Sequence, residues 1–69
     1  MPSTAIRSFR YRPEKRELEV TFITGRRYVY ADVPTGTVEG FRAASSKGTF
    51  FNAQIRNRFG YRELEREVT

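Results

Sequence analysis

Residues 17–22, Glu-Leu-Glu-Val-Thr-Phe, alternate strictly between polar and apolar. Leu18, Val20 and Phe22 fall on one side of an extended chain, and Glu17, Glu19 and Thr21 fall on the other. That is the pattern of a half-buried strand. Upstream, Phe9 and Tyr11 alternate with Ser8 and Arg10 and predict a strand over about residues 5–11. Between the two lies Arg12-Pro13-Glu14-Lys15-Arg16, where Pro13 presets the dihedral needed early in a turn. After Thr24-Gly25, Tyr28-Val29-Tyr30 predicts a third strand, so the first half reads as an antiparallel meander.

Beyond Pro34 the period lengthens. Pro34 suits the first helical position, and Val38, Phe41 and Ala44 recur at helical spacing, although Gly36 and Gly40 weaken this helix. Ser45-Ser46-Lys47-Gly48 breaks and recaps the chain. Phe51, Ile55 and Phe59 then follow at successive i, i+4 steps and predict a second helix. The fold class expected is α+β: a three-stranded antiparallel meander with two C-terminal helices packed on one face, βββαα.

Hairpin register decides which face Tyr28 and Tyr30 occupy. A two-residue Thr24-Gly25 turn would send both tyrosines outward, but it asks β-branched Thr24 for a positive φ. A three-residue Ile23-Thr24-Gly25 loop asks that only of Gly25. It pairs Phe22 with Arg26, Val20 with Tyr28 and Leu18 with Tyr30, which puts the tyrosines in the core. Turn chemistry favours this second register. If Phe9 opposes Val20 and Tyr11 opposes Leu18, then Arg10 faces Glu19 and Arg12 faces Glu17. Such cross-strand pairs contribute about 0.2–1 kcal/mol each and make the outer face charge-matched.

A chain of 69 residues is one domain, and one this small is marginal in stability. It has no cysteine, so neither a disulfide nor a thiolate site staples it; six Phe and four Tyr must supply the core. The cytoplasm is the default compartment for such a chain. No apolar run approaches membrane-spanning length. The opening residues carry no acid before Glu14, as transit peptides do, but removing them would cost a strand. Thirteen basic and eight acidic residues leave a net charge of +5. The charge is uneven: +7 through Arg62, and −2 over the remainder, which holds Glu63, Glu65, Arg66 and Glu67. The domain is accordingly expected over residues 1–62, with 63–69 a mobile acidic tail able to compete with an anionic ligand, although Glu63, Glu65 and Glu67 alternate with Leu64 and Arg66 in a way that also allows a short strand.

With no histidine and no cysteine, the commonest general base and the strongest nucleophile are missing. Asp32 and Glu39 have no evident acidic partner, and Ser45-Ser46-Lys47 is explained by capping. The expectation is a non-enzyme with no metal and no cofactor. A basic body points to an anionic partner, nucleic acid being the commonest. The candidate phosphate contacts are Arg26, Arg27, Lys47, Arg56, Arg58 and Arg62, with Asn52 and Gln54 as polar readers. Asn52 and Arg56, at i, i+4, would share a helix face. An amide at Asn52 that ties down the Lys47-Gly48 turn is the competing explanation, and the favoured one. Tyr61 and Phe59 are the rings left over for base stacking. The rival class is a protein-interaction module using a free sheet edge or the helical surface. Salt separates the two, since phosphate binding weakens steeply with it. A monomer is expected.

Taken together, the chain resembles the KTSC domain, a module found at the C-terminus of some lysyl-tRNA synthetases and as free-standing bacterial and phage proteins. The resemblance rests on Phe9-Arg10-Tyr11-Arg12-Pro13-Glu14, Leu18-Glu19-Val20-Thr21-Phe22, Tyr28-Val29-Tyr30, Val33-Pro34, Ser46-Lys47-Gly48-Thr49-Phe50-Phe51-Asn52 and Ile55-Arg56, in order through nearly the whole chain. Gly36 and Gly40 depart from it, standing where the family more often has helix formers. The resemblance implies a domain of unassigned role, with RNA binding suggested by the synthetase connection. The synthetase catalytic body is absent, so aminoacylation does not transfer.

Overall fold

A computed structural model describes residues 6–64 of the chain. The meander is present as β1 (Ile6–Arg12), β2 (Glu17–Phe22) and β3 (Arg27–Tyr30). The β2–β3 loop is the three-residue one. Phe22 N–H donates to the Arg26 carbonyl at 2.9 Å, Gly25 N–H donates to the Phe22 carbonyl at 2.8 Å, and Gly25 carries φ +93°. Val20 therefore opposes Tyr28 and Leu18 opposes Tyr30. On the other side of β2, Phe9 opposes Val20, Tyr11 opposes Leu18, Arg10 opposes Glu19 and Arg12 opposes Glu17. A bulge between Ile6 and Ser8 shifts the start of β1.

The sheet has four strands, not three. Residues Tyr61–Leu64 form β4, antiparallel to β3, in the order β1-β2-β3-β4. Tyr61 opposes Tyr30 and Glu63 opposes Tyr28, and Ala31 N–H extends the ladder to the Gly60 carbonyl at 2.8 Å. Glu63 and Leu64 thus belong to the sheet, and the domain runs past the boundary expected at residue 62. The cause is backbone hydrogen bonding, which a strand with little apolar content gains from an unsatisfied neighbouring edge. The rest of the expected tail, 65–69, lies outside the described residues.

Helix α1 spans Thr35–Ala43. Pro34 stands at its N-cap, one position earlier than expected, with φ −71° and ψ 154°. Gly40 has a packing reason: a Cβ there would lie 3.0 Å from Cζ of Phe50. Helix α2 covers Lys47–Phe50, begins with Ser46 Oγ accepting from Thr49 N–H at 3.3 Å, and runs into a π-helical turn, Phe51–Ile55. Arg56 N–H closes that turn on the Phe51 carbonyl, five residues back, at 2.8 Å. The helix ends there, so Phe59 is not on it, and Arg56, with extended ψ 131°, does not share a helix face with Asn52. The i, i+4 spacing was misleading because the last turn is wider than an α-turn.

Both helices cover one face of the sheet. The core is Leu18, Val20, Tyr30, Val33, Val38, Phe41, Phe51 and Ile55, with Ile6, Phe9, Tyr11, Phe22, Tyr28, Phe50 and Phe59 packed around it. Aromatic contacts hold the layers together: Phe9 to Phe41 at 4.4 Å, Phe22 to Phe51 at 5.4 Å, and Tyr30 to Phe51 at 5.5 Å between ring centroids. Tyr11 donates its hydroxyl to the Val33 carbonyl at 2.7 Å, and Val33 N–H donates to the Arg16 carbonyl at 2.9 Å. These two bonds clamp the segment leading into α1 against the β1–β2 turn.

The opposite face is open and charge-matched, though the ion pairs use different partners from those the β1–β2 register offers. Glu19 is 3.8 Å from Arg27, and Glu17 is 3.7 Å from Arg62. The second pair reaches from β4 to β2 across β3. Val29, beside Arg62 on β3, is only 6% exposed although no helix covers it. Long arginine stems bury apolar surface in this way.

Tyr30 is 4% exposed, so Tyr30→Ala is expected to destabilise the domain by about 3–5 kcal/mol, as other large core aromatics do; urea denaturation measures it. Terminating the chain after Gly60 removes β4 and its ladder and is expected to lower the urea midpoint clearly. An unchanged midpoint would show that β4 contributes nothing to the fold.

Candidate nucleic-acid interface

Three tyrosines meet on β3 and β4, where Tyr30 also packs against Phe51 at the start of the π-turn. Tyr28 and Tyr30 point the same way because they are two apart on one strand, and the β3–β4 register sets Tyr61 directly opposite Tyr30. Ring centroids are 5.4 Å apart for Tyr30 and Tyr61, 5.5 Å for Tyr28 and Tyr61, and 6.5 Å for Tyr28 and Tyr30. Tyr30 lies at the bottom, Tyr28 is half-buried, and Tyr61 is 60% exposed. The cluster is thus a shelf that presents one aromatic ring to solvent.

The Tyr30 phenol is pushed up to about 12, chiefly by burial and then by Tyr61 and Tyr28, while Arg56 acts in the opposite direction. Two consequences follow. Tyr30 stays neutral throughout the physiological range, so it adds no negative charge to the shelf. The Arg56 guanidinium lies within electrostatic reach of that hydroxyl.

The remaining expected basic contacts are mostly engaged. Arg26 is 3.8 Å from Glu63, and Arg27 and Arg62 are matched to Glu19 and Glu17. Lys47 donates Nζ to the Arg42 and Ala44 carbonyls at 2.9 and 2.7 Å, capping the C-terminus of α1. Arg58 donates Nε to the Ala53 carbonyl at 3.0 Å. Asn52, exposed on the π-turn, also has a partner in the fold. The expectation that Arg26, Arg27 and Arg62 are surplus cations does not hold: Glu63 comes from a strand absent from the sequence reading, Glu17 from across β3, and Glu19, opposite Arg10 in the β1–β2 register, pairs with Arg27 on the other side of β2. Among the described residues, Arg56 is the member of the set whose side chain makes neither a hydrogen bond nor an ion pair.

The shelf therefore joins Arg56 and Tyr61, both candidates from the sequence, to Tyr28 and Tyr30, which sequence reasoning placed in the core alone. Phe59 is half-buried against the core and is not part of the exposed shelf. Glu63 was missed as a site residue. It sits beyond Tyr61 on the same face of β4, and only the β4 register reveals that. Among the described residues no group of His, Cys, Asp and Glu could hold a metal ion, and no helix is long and apolar enough to cross a membrane.

The KTSC domain family model matches residues 2–59. A lysine–tRNA ligase of Nostoc sp. is 36% identical over 59 residues, 86% of this chain but 10% of the ligase. This chain therefore corresponds to about a tenth of that protein's length. An uncharacterized protein of Stutzerimonas stutzeri is 40% identical over 52 residues, 75% of this chain and 73% of its own. The crystal structure of a KTSC domain protein from Yersinia pestis superposes with a TM-score of 0.87 at 35% identity, covering 94% of this chain and 92% of that one. With the profile spanning most of the sequence and a solved member sharing the fold, the chain belongs to the KTSC domain family.

Proposed function

We propose that this chain is a small, non-catalytic domain that binds single-stranded RNA weakly, through stacking on Tyr61 and a phosphate contact from Arg56. One observation carries the reading: an exposed tyrosine ring is backed by two more, and the buried one, Tyr30, lies within electrostatic reach of Arg56, an arginine without an ion pair among the described residues. Stacking on an aromatic ring is tolerant of sequence and contributes about 1–3 kcal/mol per base. A net charge of +5 adds long-range attraction for a polyanion. The relation to a protein named a lysine–tRNA ligase supports RNA as the nucleic acid. In this reading Arg56 and Tyr61 carry the contact, and Arg26 and Arg27, also expected as phosphate contacts, have carboxylate partners instead.

Fluorescence anisotropy with a labelled oligouridylate at low salt tests this. Tyr61→Ala is expected to weaken binding by about 1–3 kcal/mol. Arg56→Ala is expected to reduce the slope of log K against log salt by about 0.7, the loss of one phosphate contact on a single strand. Both positions are exposed, so circular dichroism should show an unchanged fold. An RNA titration that moves no backbone amide resonance at low salt would refute the proposal.

A further inference from the structure

We infer that Glu63 makes the tyrosine shelf selective for guanine; the inference rests on the RNA reading above. Glu63 and Tyr61 lie on the same face of β4, two residues and about 7 Å apart. Glu63 opposes Tyr28 across the β3–β4 ladder while Tyr61 opposes Tyr30, so the carboxylate flanks the exposed ring on the Tyr28 side. A base stacked on Tyr61 therefore has the Glu63 carboxylate within reach of its edge.

A carboxylate offers acceptors only. On their Watson–Crick edges, adenine and cytosine each present one amino donor next to a ring-nitrogen acceptor, and uracil presents one N–H between two carbonyls. Guanine alone presents two adjacent donors, N1–H and the N2 amino group. It matches both carboxylate oxygens at once, while each other base puts an acceptor against them. Unstacked bases in single strands have that edge free for reading.

The surroundings of Glu63 leave it available. It is 42% exposed, and its one ion pair joins Oε2 to Arg26 Nε at 3.8 Å, beyond hydrogen-bond distance. Arg26, itself 58% exposed, orients the carboxylate without consuming its lone pairs. Glu17 and Glu19, by contrast, sit on the opposite face of the sheet with Arg62 and Arg27.

The test compares labelled eight-residue oligouridylates carrying one central guanosine, adenosine, cytidine or inosine. The guanosine strand is expected to bind on the order of tenfold tighter than the adenosine, cytidine and all-uridine strands. Inosine keeps N1–H but lacks the amino group, and is expected to lose much of that gain. Glu63→Gln removes a negative charge and so raises affinity for all strands, but it should bring the guanosine-to-adenosine ratio within about twofold, because an amide cannot accept at both positions. Amide spectra of the variant confirm that it is folded. Equal affinity for guanosine and adenosine strands in the unaltered protein overturns the role of Glu63 and leaves the RNA reading standing. Preference retained in Glu63→Gln also overturns it. No binding of any strand at low salt overturns both.

Discussion

The rest of the structure depends on the register of the β2–β3 hairpin. Because strand side chains alternate faces, a slip of one residue would turn Tyr28 and Tyr30 to the open face and bring Arg27 and Val29 toward the helices. Gly25, at φ +93°, makes the three-residue loop accessible, and that loop sets the pairing. Leu18, Val20, Phe22, Tyr28 and Tyr30 then form one apolar surface wide enough for the helices to cover. In a chain of 69 residues with no cysteine, that surface and the aromatic side chains opposite it are the main source of stability.

The same register creates the candidate site. Tyr30 can lie in the core and support a surface shelf because β4 adds to the edge of β3 with Tyr61 opposite it. Tyr30 is buried at the base of the cluster, and Tyr61, tilted against both other rings, remains open. The arginines divide by face and by neighbour. Arg27 and Arg62 belong to the charge-matched open face, where they also shield Val29, and Arg26 serves Glu63. Lys47 is a helix cap that fastens α1 to the start of α2. What looks in one dimension like a basic patch is, in three, divided between ion pairs for Arg26, Arg27 and Arg62 and backbone carbonyl contacts for Lys47 and Arg58.

The π-turn explains why this cation is where it is. Ending α2 with a five-residue closure, Arg56 N–H to the Phe51 carbonyl, turns the chain at Ile55 and releases Arg56 into an extended conformation. A continued α-helix would have carried Arg56 around with Asn52, on the helical surface. Such insertions often mark functional positions in helices, and here the insertion lies beside the tyrosine shelf.

The sequence by itself determined the meander, its register, the change to helices after Pro34 and the core role of Tyr28 and Tyr30. Those features follow from local alternation, from Gly25 at the one loop position that needs a positive φ, and from spacing within short segments. The resemblance carried by Phe9–Glu14, Tyr28–Tyr30 and Ser46–Asn52 named the family that the comparisons established. Tertiary structure decided the fourth strand, since the alternation around Glu63 and Leu64 allows either a strand or a loose arm and it is pairing with β3 that holds Tyr-Arg-Glu-Leu in place. It also decided which cations are neutralised and which side chains flank Tyr61. Those outcomes depend on contacts between residues far apart in the chain, such as Glu17 with Arg62 and Arg26 with Glu63. Charge can be counted along a sequence, but its neutralisation depends on which side chains the fold brings within reach.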